Sequence, residues 1–137
     1  MTTTPSFPDL YARVKAACPE ACPPQVSVVG GIFQLAIECT DVGHCASWSW
    51  ATDATMPVVE SLILAACVRW LADNGHQPIC IEKNNSNRTP SHYPQYLPKH
   101  FVVEIMDTPI YQQTFSDNLA IAALLAVEAV CKERGNA

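Results

Sequence analysis

The sequence predicts an α+β domain: a mainly antiparallel sheet of five or six strands, with two long helices and a short N-terminal helix packed on it. Three observations carry that expectation. Apolar residues recur at helical spacing in 57–73 and 119–133, they alternate at strand spacing in 32–39, and the connections between strands are mostly short. Short connections suit antiparallel neighbours, because a parallel pair needs a crossover of a dozen residues or more.

The first helix is expected over Pro8–Ala17. Ser6 is placed to cap it, Pro8 suits the first turn, Asp9 sets an acid near the positive helix end, and Cys18-Pro19 ends the run. Val26–Val29, Gly30-Gly31 and Ile32–Cys39 then read as a β-hairpin, since paired glycines supply the positive φ angles of a tight turn. In the second strand Phe33, Leu35, Ile37 and Cys39 alternate with Gln34, Ala36 and Glu38, so one face is buried and the other wet.

Residues 41–55 are loop-like, but Ser47-Trp48-Ser49-Trp50 alternates strictly and suits a short third strand. Its two tryptophans share a face. The first expectation is that they pack under a helix; the alternative is that they stack on a ligand.

The strongest local signal is a helix over Pro57–Asp73. Val58, Leu62, Ala66 and Trp70 form one row, Val59, Ile63, Cys67 and Leu71 a second beside it, with Thr55 as the expected cap and Asn74-Gly75 as the stop. Strands follow at Ile79–Lys83, Phe101–Met106 and, after the turn Asp107-Thr108-Pro109, Ile110–Thr114. Ser116 or Asp117 is expected to cap a last helix, Leu119–Glu133. That helix is apolar over so wide an arc that it should be covered on two sides, by the sheet and by another helix or subunit. The halves share a plan, strands followed by an Ala-rich helix.

All 137 residues fit one domain, which buries roughly 65–70% of the surface of its unfolded chain. Hydrophobic residues make up 49% and charged residues 15%, the latter below the roughly 25% usual for soluble domains, so part of the apolar surface is expected to lie in a homo-oligomer. The formal net charge is −5. Nonspecific duplex binding needs an extended basic face and is not expected. The first residues, Met-Thr-Thr-Thr-Pro, lack the basic and apolar parts of a signal peptide, and no uninterrupted apolar run would span a bilayer. A cytoplasmic protein without membrane contact is expected, with its seven cysteines mostly reduced.

The least ordinary segment is the seventeen-residue run Asn84–His100 between two strands, with Arg88, Lys99, His92, His100, Tyr93, Tyr96, Asn84, Asn85, Asn87, three prolines and no acid. Long irregular connections in compact domains are uncommon and often functional. Arg88 offers a planar fork for phosphate, Lys99 a second cation, Tyr93 and Tyr96 rings for stacking, and the asparagines groups for base edges or ribose hydroxyls. The expected ligand-binding set is therefore Asn84, Asn87, Arg88, His92, Tyr93, Tyr96, Lys99 and His100, for a small anionic nucleotide. A solvated or interface-forming loop is the alternative.

Catalytic patterns are sparse. Cys18, Cys22, Cys39, His44 and Cys45 could supply zinc ligands, but their spacings are unspecific and core or loop thiols are the better expectation. Glu82 and Glu104 could face each other across two strands, and His92 with His100 could act in acid–base chemistry, yet water-facing side chains are commoner at such positions. No nucleophile elbow, P-loop, dinucleotide glycine pattern or His-Glu-x-x-His is present. A non-enzymatic protein without a cofactor is expected, and a metal-dependent or cysteine enzyme ranks third.

Two segments carry a family likeness. Ser49-Trp50-Ala51-Thr52-Asp53 before the second helix, and Thr114 to Ala122 entering the last, resemble the small phage and prophage α+β proteins of the ABA-sandwich group, over about a third of the chain. The resemblance implies a phage origin, hence residence in the host cytosol, and no functional residues. With it goes the expectation of counter-defence, by sequestering a nucleotide-derived signal or blocking a host defence protein. The alternative is a structural or protein-interaction subunit of a homo-oligomeric assembly.

Overall fold

The computed structural model of the chain describes residues 6–39, 45–74, 79–92, 94, 96–105 and 112–135. In chain order the elements are α1 (Phe7–Ala17), a short 3₁₀ turn (Pro19–Ala21), β1 (Val26–Val29), β2 (Ile32–Cys39), β3 (Cys45–Trp50), α2 (Met56–Asp73), β4 (Ile79–Lys83), β5 (Phe101–Ile105), β6 (Gln112–Ser116) and α3 (Leu119–Gly135).

The strands do not join into one sheet of five or six. They form two antiparallel meanders of three, in the orders β1-β2-β3 and β4-β5-β6. Each short connection pairs strands adjacent in sequence, whereas the 18 residues of α2 separate β3 from β4 and carry the chain to a new sheet. The plan shared by the halves is thus explicit: three antiparallel strands followed by a helix, twice.

Local chemistry accounts for the element ends. Ser6 Oγ accepts from the Asp9 N–H at 3.3 Å and caps α1. The β1–β2 turn places Gly30 and Gly31 at φ 60° and 78°, the left-handed region that glycine enters without a Cβ penalty. Two expected caps differ. Thr55 takes the N-cap position of α2, but its hydroxyl turns back to Thr52, accepting from that N–H at 2.8 Å and donating to that carbonyl at 3.2 Å. On α3 the cap is neither Ser116 nor Asp117: Asn118 Oδ1 accepts from the N–H groups of Ala120 at 2.9 Å and Ile121 at 3.2 Å. Met106 and residues 107–111, which the sequence assigns to a strand end, a turn and the start of the last strand, lie outside the described residues, as does Gly75.

Helix α3 is the hub. It packs against β5 and β6 on one side and against α1 and α2 on the others, which is why Ala122, Ala123, Leu124, Ala126, Val127 and Val130 are all buried. From α2, Val59, Ile63, Cys67, Trp70 and Leu71 complete the core, while Val58, expected in the apolar stripe, is exposed. Sheet β1-β2-β3 is tied in through Phe33, whose ring meets Phe7 edge-on at 4.8 Å and Tyr11 at 5.6 Å, and through the buried Tyr11 hydroxyl, which lies 2.8 Å from the Val26 carbonyl and 3.1 Å from that of Pro23.

Candidate functional site

The Asn84–His100 loop is organised by its first residue. The Asn84 side chain is 7% exposed, and its amide donates to the carbonyls of Arg88 at 3.0 Å and Tyr96 at 2.9 Å. Its Oδ1 accepts from the Ser86 N–H at 3.1 Å and the Ser86 hydroxyl at 2.7 Å. The Asn84 N–H donates to the His100 carbonyl at 2.8 Å, and its own carbonyl accepts from the Lys99 N–H at 2.7 Å, with Lys99 at φ 65°. Asn84 thereby organises the loop, with both of its amide hydrogens and its carbonyl oxygen engaged inside it.

The remaining expected site residues do not converge on a basic recess. Asn87, Arg88, His92 and Lys99 are exposed, His100 is half-buried, and Tyr93 lies outside the described residues. Tyr96 alone of the expected set lines a described cavity, with its ring 5.6 Å from that of Phe115. That cavity, about 220 Å³, sits on the face of β4-β5-β6 turned away from α3.

Strand register explains its lining. Cys80 pairs with Glu104 and Glu104 with Gln113 in one row, and Glu82 pairs with Val102 and Val102 with Phe115 in the next. Paired residues share a face, so these six side chains point outward while Val103, Ile105 and Thr114 point to α3. Glu82 and Glu104 are consequently diagonal neighbours, not partners directly opposite as the sequence suggested, and both line the cavity. Gln113 Nε2 donates to Glu104 Oε2 at 2.5 Å, and the Cys80 thiol donates to Glu82 Oε1 at 3.7 Å. The Tyr96 phenol and the Cys80 thiol are both pushed above their ordinary values, first by partial burial and then by the Glu82 carboxylate. Phe115 and Gln113 had no sequence signal of their own. Alternation within each strand gives side-chain parity, but only the pairing register brings these positions to one spot.

A second surface stands out on the other sheet. Helix α1 meets this sheet at β1 and at Phe33 of β2, and α2 meets it at β1, while β3 lies at the far edge with Ser47, Trp48, Ser49 and Trp50 all exposed. Trp48 is 45% and Trp50 54% exposed, which corrects the expectation that they pack under a helix: they sit on the edge strand farthest from β1, where the helices make contact. Trp50 pairs with Gln34 and Trp48 with Ala36, and this outward face continues through Val29 and Ile32, both about half exposed.

Apart from Cys80 in the recess, the cysteines divide into two groups. Cys18, Cys22 and Cys67 are buried in the helical core, where Cys18 hydrogen-bonds to Cys131. Cys39 and Cys45 are register partners at the far end of the β2–β3 hairpin. A zinc set drawing on His44 falls partly outside the described residues, and among the described residues no group of three or more His, Cys, Asp or Glu side chains is arranged to hold a metal ion. Among the same residues, no helix is long and apolar enough to cross a membrane.

No family model, curated protein or solved structure matches the chain.

Proposed function

We propose that this protein acts by association rather than catalysis, as an interaction subunit that pairs with a second copy of itself through the tryptophan face and edge of β1-β2-β3. The observation that carries this reading is the exposure of Trp48 and Trp50 on an edge strand. Natural edge strands are commonly protected by lysine, proline or a bulge, yet Cys45–Trp50 contains no charged residue and no proline.

The choice of a second copy rests on charge. Ser27, Val29, Ile32, Gln34, Ala36, Trp48 and Trp50 form a continuous uncharged patch on a chain of net charge −5, with Glu38 at the register position beyond it on the same side of β2. Two such patches meet about a two-fold axis with no charge opposed at their centre, and an antiparallel pair of identical edge strands satisfies the same symmetry and sets the two Glu38 positions at opposite ends. Tryptophans are also the side chains most often found at the energetic centre of an interface. The sequence resemblance adds a phage origin to this proposal and assigns it no residues. The nucleotide reading of the loop is weaker, because the recess beside Tyr96 is lined by Glu82 and Glu104, which repel phosphate.

Size-exclusion chromatography with light scattering tests the proposal. Wild-type protein is expected to run as a dimer or a higher even-numbered assembly. Trp48→Glu with Trp50→Glu is expected to give monomer with an unchanged circular dichroism spectrum, because neither side chain belongs to the core; losing one interfacial anchor of about 2 kcal/mol already weakens association roughly 30-fold. A wild-type monomer at 100 μM protein would overturn it. A melting-temperature rise with a cyclic nucleotide, abolished by Arg88→Ala, would return the function to the loop.

A further inference from the structure

We propose that Cys18 and Cys131 form a redox modification site, a thiol pair that a small disulfide converts to an intramolecular disulfide joining the end of α1 to α3. This inference stands apart from the tryptophan face and needs no second copy of the chain.

Two helices bring the sulfurs together. Cys18 closes α1 as its C-cap, with its own N–H donating to the Val14 carbonyl at 2.7 Å. Cys131 lies near the end of α3, which packs against α1. The Cys18 thiol donates a hydrogen bond to the Cys131 sulfur, so two groups far apart in the chain are in direct contact. Beside them the Arg13 guanidinium meets the Glu128 carboxylate through two hydrogen bonds, Nε to Oε2 at 2.6 Å and Nη2 to Oε1 at 3.0 Å. Arg13 precedes Cys18, and Glu128 precedes Cys131, by about one helical turn, so this ion pair holds the same α1–α3 contact that carries the thiols.

The pair is unequal in access, as stepwise exchange requires. Cys18 is 3% exposed, whereas Cys131 is half-buried and lines an open cavity of about 320 Å³ with Arg13, Ala17, Glu128 and Lys132. A reagent therefore meets Cys131 first and Cys18 only as the second thiol. Cys22 and Cys67 are buried and line no part of this cavity. Two thiols also fall short of the four ligands of a structural zinc, and among the described residues no group of three is arranged to hold a metal ion.

The chemistry balances as two exchanges. The Cys131 thiolate attacks one sulfur of the small disulfide, whose S–S bond breaks; one half leaves as a thiolate, takes up the proton that Cys131 released, and a mixed disulfide stays on Cys131. Cys18 then loses its proton to solvent, and its sulfur attacks the Cys131 sulfur and expels the second half, which takes a proton in turn. The chain gives up two hydrogens and two electrons, and both reappear in two molecules of reduced thiol. Cys18 sits at φ −148° and ψ 73°, already outside the helical region, so drawing its sulfur closer distorts no turn of α1.

The test incubates the full chain with glutathione disulfide in a hundredfold excess of reduced glutathione, alkylates the remaining thiols, digests with trypsin and Glu-C, and weighs the fragments. A linked pair of Ala16–Glu20 and Ala129–Lys132 is expected, since those fragments carry Cys18 and Cys131 as their only cysteines. Cys80 is the internal control. It is also half-buried, but its recess holds no second cysteine to capture an adduct, and its modification is expected to be at least tenfold lower. Without added reduced glutathione, Cys18→Ala is expected to leave glutathione on Ala129–Lys132, and Cys131→Ser is expected to abolish the linked pair with an unchanged circular dichroism spectrum. Absence of the linked pair in folded wild-type protein, a link from Cys131 to Cys22 in fragment Ala21–Glu38 in its place, or equal modification of Cys80 would each overturn the proposal; the wild-type measurement needs no variant to fold.

Discussion

Asn84→Ala is expected to lower the unfolding free energy by about 2–3 kcal/mol and to free the loop from the sheet. The size follows from how many polar groups one side chain serves. Its amide holds the carbonyls of Arg88 and Tyr96 and its oxygen holds both donors of Ser86, so truncation removes four hydrogen bonds at a position only 7% exposed. Some of the released groups reach water, which keeps the cost below that of four orphaned partners. Chemical denaturation measures the loss, and hydrogen exchange locates it, with the Ser86 and Lys99 amides exchanging faster than those of β5. Asn87→Ala is the control. Asn87 is exposed, and its substitution is expected to change stability by less than about 0.5 kcal/mol. Equal effects of the two substitutions would refute the hub role of Asn84.

Alkaline pH is expected to unfold the protein steeply. Burial pushes the Cys22 thiol up to about 11. The Cys18 thiol rises to about 12, by burial and then by its hydrogen bond with Cys131. The Cys67 thiol and the Tyr11 hydroxyl are pushed higher still, again chiefly by burial. The sign follows from linkage. Below their ordinary values near 9 for the thiols and 10 for tyrosine, folded and unfolded chains are equally protonated and stability is complete. Above those values the unfolded chain releases protons that the folded chain retains, so stability falls as pH rises, and each group stops contributing once pH passes its folded value. Each retained proton costs about 1.4 kcal/mol per pH unit. Three thiols together give a slope on the order of 4 kcal/mol per unit above pH 9, enough to consume a typical stability of about 5–15 kcal/mol within a few units. Melting temperatures in reductant should therefore be flat from pH 7 to 8 and should drop sharply above 9. Cys67→Ala should reduce the slope by one group's share, whatever it does to stability at pH 7. A melting temperature unchanged at pH 11 would contradict the burial of these groups.

The helices were legible because their signals are local. Apolar rows at spacing four marked α2 to within one residue, and the wide apolar arc of α3 announced a helix covered on more than one side. The hairpin at Gly30-Gly31 was equally plain, since two successive positive φ angles leave few other residue choices. The caps were less so. Thr55 and Asn118 sit among several hydroxyl and amide side chains, and which of these turns toward the helix depends on the turn that precedes it.

The candidate site was legible as a place, while the residues that surround it were not. Composition singled out the 84–100 loop, but counting cations within it took no account of the sheet beneath. Arg88 and Lys99 stay on the exposed surface, while Tyr96 folds over strands that contribute Glu82 and Glu104, so the recess takes its sign from β4 and β5 instead. Similarly, Trp48 and Trp50 were correctly assigned to one face, yet alternation cannot say whether a helix covers it.

By itself the sequence determined the element types, the Gly30-Gly31 hairpin turn, the helical stripes and the identity of an unusual loop, all properties that depend on neighbours a few residues apart. Only the tertiary structure decided that the strands divide between two sheets, that β3 lies beyond the helical cover, and that two carboxylates and two aromatic rings from distant positions share one recess. Those outcomes depend on register and on the reach of each helix over a sheet, and both are set by the packing of the whole chain.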